Sequence, residues 1–176
     1  MNKIIYFGGN FDFQYKDYSK DKLEKDYRAI ILGGADRMLH SPKTETKTVE
    51  IYPGVDYVGP FYFYEEGTTA SDIVNNEFRM VESSTDVVFL LDNVNSPGTI
   101  SELIHAAYCK KEIHIFFIGL NHDDGEPEND VNSMHWYPMR MSQIISPDTV
   151  HMYECVNKEE ATNKIINLLK SWNSKF

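Results

Sequence analysis

Short continuous apolar runs alternate along this chain with segments whose apolar positions recur every three or four residues. A run of the first kind, closed by turn residues, reads as a strand buried on both faces; the second pattern reads as an amphipathic helix. Residues 3–7 give a first strand, ended by Gly8-Gly9-Asn10. Leu23, Tyr27, Ile30 and Ile31 then share a helical face, with Gly33-Gly34 as its stop. Residues 48–52 read as a strand, and 57–64, interrupted by Gly59-Pro60, as a loop or an edge strand. Ile73, Val74, Phe78 and Val81 predict a helix over 71–83. Residues 86–91 form the clearest strand, and a helix over 99–109 follows, with Lys110-Lys111 suited to its C-terminal dipole end. Residues 113–118 give another buried strand, 121–130 an acidic loop, and 150–155 a last strand. Asn157 with Glu160 makes a capping box for a final helix reaching about Trp172.

Strand and helix alternate nearly throughout, which predicts a parallel sheet covered by helices on both faces. The expected fold is one Rossmann- or flavodoxin-like α/β domain over residues 1–176, with a mostly parallel five-stranded sheet. No repeat, low-complexity tract or long linker divides it. A chain of 176 residues buries roughly 70% of its unfolded surface, so it needs neither disulfide nor metal to fold. Cys109 and Cys155 form no spaced pair, which fits a reduced, cytosolic setting. No secretory leader is visible, and no apolar stretch approaches the ~18 residues of a membrane span. With 17 basic and 27 acidic side chains the net charge is −10. That argues against polymeric nucleic acid as a partner and leaves a single nucleoside or nucleotide open. Aromatic residues crowd positions 52–64, either to line a flat-ring pocket or to fill the core.

The most informative stretch runs from Asp86 through the Ser96-Pro97-Gly98 turn to Glu102. Open α/β sheets bind ligands at the carboxyl ends of their strands, where such a turn lies. Two readings of Glu102 stand side by side. In one, Thr99-x-x-Glu102 is a capping box and the carboxylate merely satisfies backbone N–H groups. In the other it is a nucleophile, held ionised by the positive end of the helix. Phe11, Phe13 and Trp136 stack on a base or pack in the core. His122, Asp123, Asp124 and Glu126 read as a solvated acidic loop rather than a cation site. The scattered histidines match no zinc-binding spacing, and Gly8-Gly9-Asn10-Phe11 is not a dinucleotide fingerprint.

The run Asp86-Val-Val-Phe-Leu-Leu, followed by Ser96-Pro-Gly-Thr-Ile-Ser-Glu102, resembles the nucleoside 2-deoxyribosyltransferase family, whose nucleophilic glutamate opens the helix after this strand. Asn132-Ser-Met134-His-Trp136, with Met141-Ser-Gln143 beyond, resembles the Asn-x-Met-x-Trp segment that completes a neighbouring subunit's site in that family. The opening Ile-Tyr-Phe-Gly8-Gly9 run, continuing to Phe11, resembles the family's first strand and nucleoside-contacting loop. Asn75-Asn76-Glu77 resembles the segment that carries an acidic partner of the nucleophile. The usual residue there is aspartate, one position closer to the next strand, so Asp72 is an alternative. Without the resemblance, Glu77 reads as part of a solvated helix face and Asp72 as an N-terminal helix charge. Together the motifs span residues 3–145.

Ser96 departs from the family's transferases, which place a base-holding aspartate six residues before the nucleophile. Related deoxynucleoside 5′-monophosphate N-hydrolases carry a serine there, beside the 5′-phosphate. Ser96, Gly98 and the helix N–H groups are therefore candidate phosphate contacts, with a plain turn cap as the other reading of Ser96. Asp92 and Asn93 are candidates to hold the base. The family's transferases end in a carboxylate near the site, whereas this chain runs on past Tyr153-Glu154. The resemblance implies an enzyme that breaks an N-glycosidic bond through a glutamate-bound sugar and hands the sugar to another base. The alternatives are hydrolysis of a nucleoside or its 5′-monophosphate, and a nucleotide sensor without turnover. It implies no metal or organic cofactor, small nucleosides, nucleotides and bases as partners, and a homo-oligomer.

Overall fold

The computed structural model of the chain describes residues 2–10, 19–38, 40–41, 47–61, 63–64, 66–92, 96–119 and 135–172. Among the expected site residues, Phe11, Asn93, Asn132 and Met134 lie outside them, as does the acidic loop. The elements in order are β1 (Lys3–Gly8), α1 (Lys20–Leu23), α2 (Tyr27–Leu32), a 3-10 turn (Ala35–Met38), β2 (His40–Ser41), β3 (Val49–Tyr52), β4 (Val55–Gly59), β5 (Phe63–Tyr64), α3 (Ala70–Ser83), β6 (Asp86–Leu91), α4 (Pro97–Tyr108), β7 (Glu112–Ile118), α5 (Trp136–Ile145), β8 (Val150–Cys155) and α6 (Lys158–Trp172).

The main sheet has six strands in the order β3-β4-β1-β6-β7-β8. Its five parallel strands, β4 to β8 across the sheet, follow the 2-1-3-4-5 order of flavodoxin-like folds. The sixth, β3, pairs antiparallel with β4 at the edge. The expected count of five is corrected here. Pro53-Gly54 closes a hairpin between β3 and β4, and β4 is an interior strand rather than the loop or edge expected over 57–64. Val55, Tyr57 and Val58 are wholly buried there. β2 and β5 form a separate two-stranded parallel pair.

β6 is buried along its whole length, as a central strand covered on both faces must be. Helices α3, α4 and α5 pack along one face, and α2 with α6 along the other. The expected helix through Leu23, Tyr27 and Ile31 is broken into α1 and α2, because Asp26 caps the second piece by accepting from the Arg28 N–H at 2.9 Å. Ile30, expected on the inner face, is 51% exposed. Gly33, left-handed at φ 76°, ends α2 as expected.

The aromatic residues described within 52–61 serve the core rather than a ring-binding pocket. Tyr57 packs edge-on against Phe61 at 5.5 Å and donates to the Pro60 carbonyl. Tyr52 donates to the Ile31 carbonyl at 2.8 Å. No described helix is long and apolar enough to cross a membrane.

Candidate active site

Strand order reverses between β1 and β6, so the crevice at their carboxyl ends is the fold's switch point. Gly8 closes β1, pairs with Phe89 in β6, and faces α4. A Cβ on Gly8 would lie 2.2 Å from the Phe89 ring and 3.3 Å from Glu102 Oε2. The backbone is thus bare where the Glu102 carboxylate approaches it. Gly9, at φ 153°, would drive a Cβ to 2.6 Å from the Tyr27 hydroxyl, so its position also demands glycine.

Glu102 is 7% exposed. Helix α4 begins at Pro97, with Ser96 in the N-cap position, so Glu102 lies beyond the first turn and its free N–H groups. The capping-box reading fails for this reason. So does the expectation that the helix dipole keeps Glu102 ionised, because that field fades within the first turn. Burial, then the charge of Glu77, push the Glu102 carboxyl up to about 7, while the Tyr6 hydroxyl and the Arg28 guanidinium pull it back. A hydrogen bond with Glu77 further favours the protonated form. Two carboxyls at one buried site cannot both ionise cheaply, so they share a proton near neutral pH.

Glu77 reaches the site from the middle of α3, which packs on α4. Asp72, the alternative, closes the capping box of α3: its carboxylate accepts from Thr69 N at 2.9 Å, and Thr69 Oγ1 accepts from Asp72 N at 3.2 Å. Asn76, beside Glu77, is buried, and its Nδ2 has no hydrogen-bond partner among the described residues.

Two members of the site escaped the sequence reading. Tyr6 in β1 is fully buried and approaches Glu102 without closing a hydrogen bond of standard length. Burial, then the charges of Glu102 and Glu77, hold its phenol well above the usual range, so it remains an O–H donor. The available signal was period two: Tyr6 and Gly8 share one face of β1. Arg28, in α2, is 2% exposed and sits over the Phe7 ring at 5.7 Å. Burial works against its charge, but Tyr27, Tyr57 and Asp26 outweigh it and keep the guanidinium protonated. An arginine set among Tyr27, Ala29, Ile31 and Leu32 in a short apolar helix was its trace in the sequence.

The other candidates lie around the crevice. Asp92, at the end of β6, accepts from Asn10 Nδ2 at 3.2 Å and pairs with Lys158 Nζ at 3.1 Å, which ties α6 to the mouth of the site. Lys158 also lies 4.6 Å over the Tyr27 ring. Ser96 Oγ donates to Thr99 Oγ1 at 2.8 Å and makes no side-chain cap to the backbone. Gly98, next along α4, is exposed. Trp136 is 42% exposed at the start of α5, so it is not a core residue.

No protein-family model matches the chain, and no curated protein sequence matches it. Its fold is similar to that of a Clostridium botulinum CMP N-glycosidase, BcmB, with a TM-score of 0.51 and 13% identity. The similarity covers 94% of this chain and 99% of the other.

Proposed function

We propose that the protein cleaves the N-glycosidic bond of a nucleoside or its 5′-monophosphate, with Glu102 as nucleophile. One observation carries the reading: a buried glutamate faces the bare backbone of Gly8 at the switch point, and a second glutamate, on the helix packed against it, acts on its carboxyl. Retaining glycoside chemistry needs such a pair, one carboxylate and one carboxylic acid at the same centre. Tyr6 and Arg28 pull toward the charge on Glu102, and the reactive form is the one with Glu102 ionised and the shared proton on Glu77. Glu102 attacks the anomeric carbon while Glu77 protonates the departing base. Glu77, now a base, then activates the acceptor that releases the sugar. The fold shared with a CMP N-glycosidase supports the bond class.

Water is the acceptor we favour. Ser96, at the helix start, stands where the resembling transferases hold the base with an aspartate, and a hydroxyl there suits a 5′-phosphate. Transfer to a second base is the other reading, favoured by the Asn132-Ser-Met134-His-Trp136 segment. That segment would also make the enzyme a homo-oligomer, with Asn132 and Met134 reaching a neighbour's site. Gly8, Gly9 and Phe11 would contact the sugar, and Asp92 or Asn93 the base.

Chromatography of the purified protein with CMP, dCMP, thymidine and deoxyinosine, with and without added adenine, tests the reading. Free base released without an acceptor establishes hydrolysis. A new nucleoside that appears only with adenine establishes transfer. No cleavage of any of them overturns both and leaves a binding protein.

A further inference from the structure

Away from the crevice, toward the C-terminal ends of α3 and α4, three different metal-binding side chains converge. His105 lies in the last turn of α4 and Cys109, four residues on, is its C-cap, while Glu82 comes from the last turn of α3. Glu82 Oε1 is 3.1 Å from His105 Nε2, and Cys109 Sγ is 3.6 Å from the same nitrogen. All three donor atoms lie within 4.8 Å of one another. We propose that Glu82, His105 and Cys109 form a zinc site that clamps α3 to α4.

The spacing fits the ion. With Zn–N and Zn–O bonds near 2.0 Å and Zn–S near 2.3 Å, a tetrahedral ion holds its N and O ligands about 3.3 Å apart and its N and S ligands about 3.5 Å apart. The observed separations of 3.1 and 3.6 Å therefore need only small adjustment. A mixed imidazole, thiolate and carboxylate set suits zinc better than the oxygen-seeking calcium or magnesium. Three protein ligands leave a fourth position for water.

The surroundings hold the ligands in place. Phe78 stacks on the His105 ring at 4.4 Å and 16°, which fixes its plane. Lys111 Nζ donates to the Glu82 and Ser84 carbonyls, joining the end of α3 to the chain after α4. Half-buried His105 and Cys109 and exposed Glu82 leave an entry path. Burial and the Glu82 charge raise the Cys109 thiol, and Lys111 opposes them. Zinc binding therefore releases the thiol proton to solvent. Spacing patterns within the sequence miss the site because its third ligand comes from another helix.

The test is titration of the metal-free full-length protein with Zn²⁺ and, for its spectrum, Co²⁺. One equivalent should bind, the Co²⁺ form should show a thiolate charge-transfer band and intense tetrahedral absorption, and zinc should raise Tm. Cys109→Ser should remove the band, and it or His105→Ala should weaken zinc binding roughly tenfold or more; Cys155→Ser should leave both unchanged. These side chains are exposed or half-buried, so metal-free variants with wild-type circular dichroism are expected. Absence of stoichiometric binding, or a charge-transfer band that survives Cys109→Ser, overturns the proposal. The Co²⁺ spectrum of the unmodified protein decides the thiolate ligand without any variant.

Discussion

Glu77 on α3 and Glu102 on α4 act on one proton: the charge of Glu77, added to burial, lifts the Glu102 carboxyl to about 7. This coupling moves the ionisation of Glu102 to neutrality, so its contribution to folding is lost as pH rises.

Glu102→Gln should lower turnover by about a thousandfold or more, because an amide cannot attack the sugar. The same change should stabilise the fold above neutral pH. Glu102 titrates near 4.5 when unfolded and about 7 when folded, so its favourable contribution is complete below the unfolded value and is lost as pH rises through 7. Thermal melts at pH 5 and pH 8 check this: the variant should exceed wild type only at the higher pH, by a few degrees. Unchanged turnover in Glu102→Gln would remove the nucleophile assignment.

Glu77→Gln removes a like charge and the proton reservoir together. The expected result is a lower kcat and, because the charge of Glu77 raises the Glu102 carboxyl, an acid limb of the pH profile displaced toward lower pH. A pH profile that stays in place would mean that Glu77 does not share the proton.

Tyr6→Phe separates catalysis from stability. The hydroxyl closes no hydrogen bond of standard length, so its loss should cost under about 1 kcal/mol of folding free energy. It favours the Glu102 anion, so kcat should fall about tenfold and the pH profile should move upward. A large loss of Tm with an unmoved profile would make Tyr6 purely structural.

Gly8→Ala places a methyl against Phe89 and beside Glu102 Oε2. We expect a loss of about 1–3 kcal/mol of stability and a larger loss of activity than of folding, measured by denaturant melts beside turnover. Wild-type kinetics in a folded Gly8→Ala protein would show that the carboxylate does not need the bare backbone.

Ser96→Asp should impair a 5′-monophosphate far more than the corresponding nucleoside, through like-charge repulsion at the start of α4. Competition between the two substrates measures the ratio directly, and equal losses would exclude Ser96 as a phosphate contact.

The legible parts of this molecule were those whose pattern admits one outcome. The runs 86–91 and 113–118 are apolar at nearly every position, and only buried strands fit them. Glu102 was findable because it follows such a strand and a Pro-Gly turn. β4 was misread because Pro53-Gly54 and Gly59-Pro60 punctuate it, and its pairing to β1 depends on residues far away in sequence. The capping box at Thr99 was misplaced because Pro97 starts the helix two residues earlier. The pairing of Glu77 with Glu102 rested on resemblance alone, since local pattern cannot say which face of α3 meets α4. Tyr6 and Arg28 were hidden for a similar reason: a tyrosine in a strand and an arginine in a helix become site residues only through what packs on them.

Arg28 is buried, and its guanidinium draws the Glu102 carboxyl down against the charge of Glu77. The crevice therefore sets a buried cation against its carboxyls, within a chain whose net charge is −10. An entering phosphate would be repelled by the rim and the outer surface rather than by the reacting groups. Added salt should then lower KM for a phosphorylated substrate while leaving kcat nearly untouched, since screening reaches exposed charges far more than buried ones.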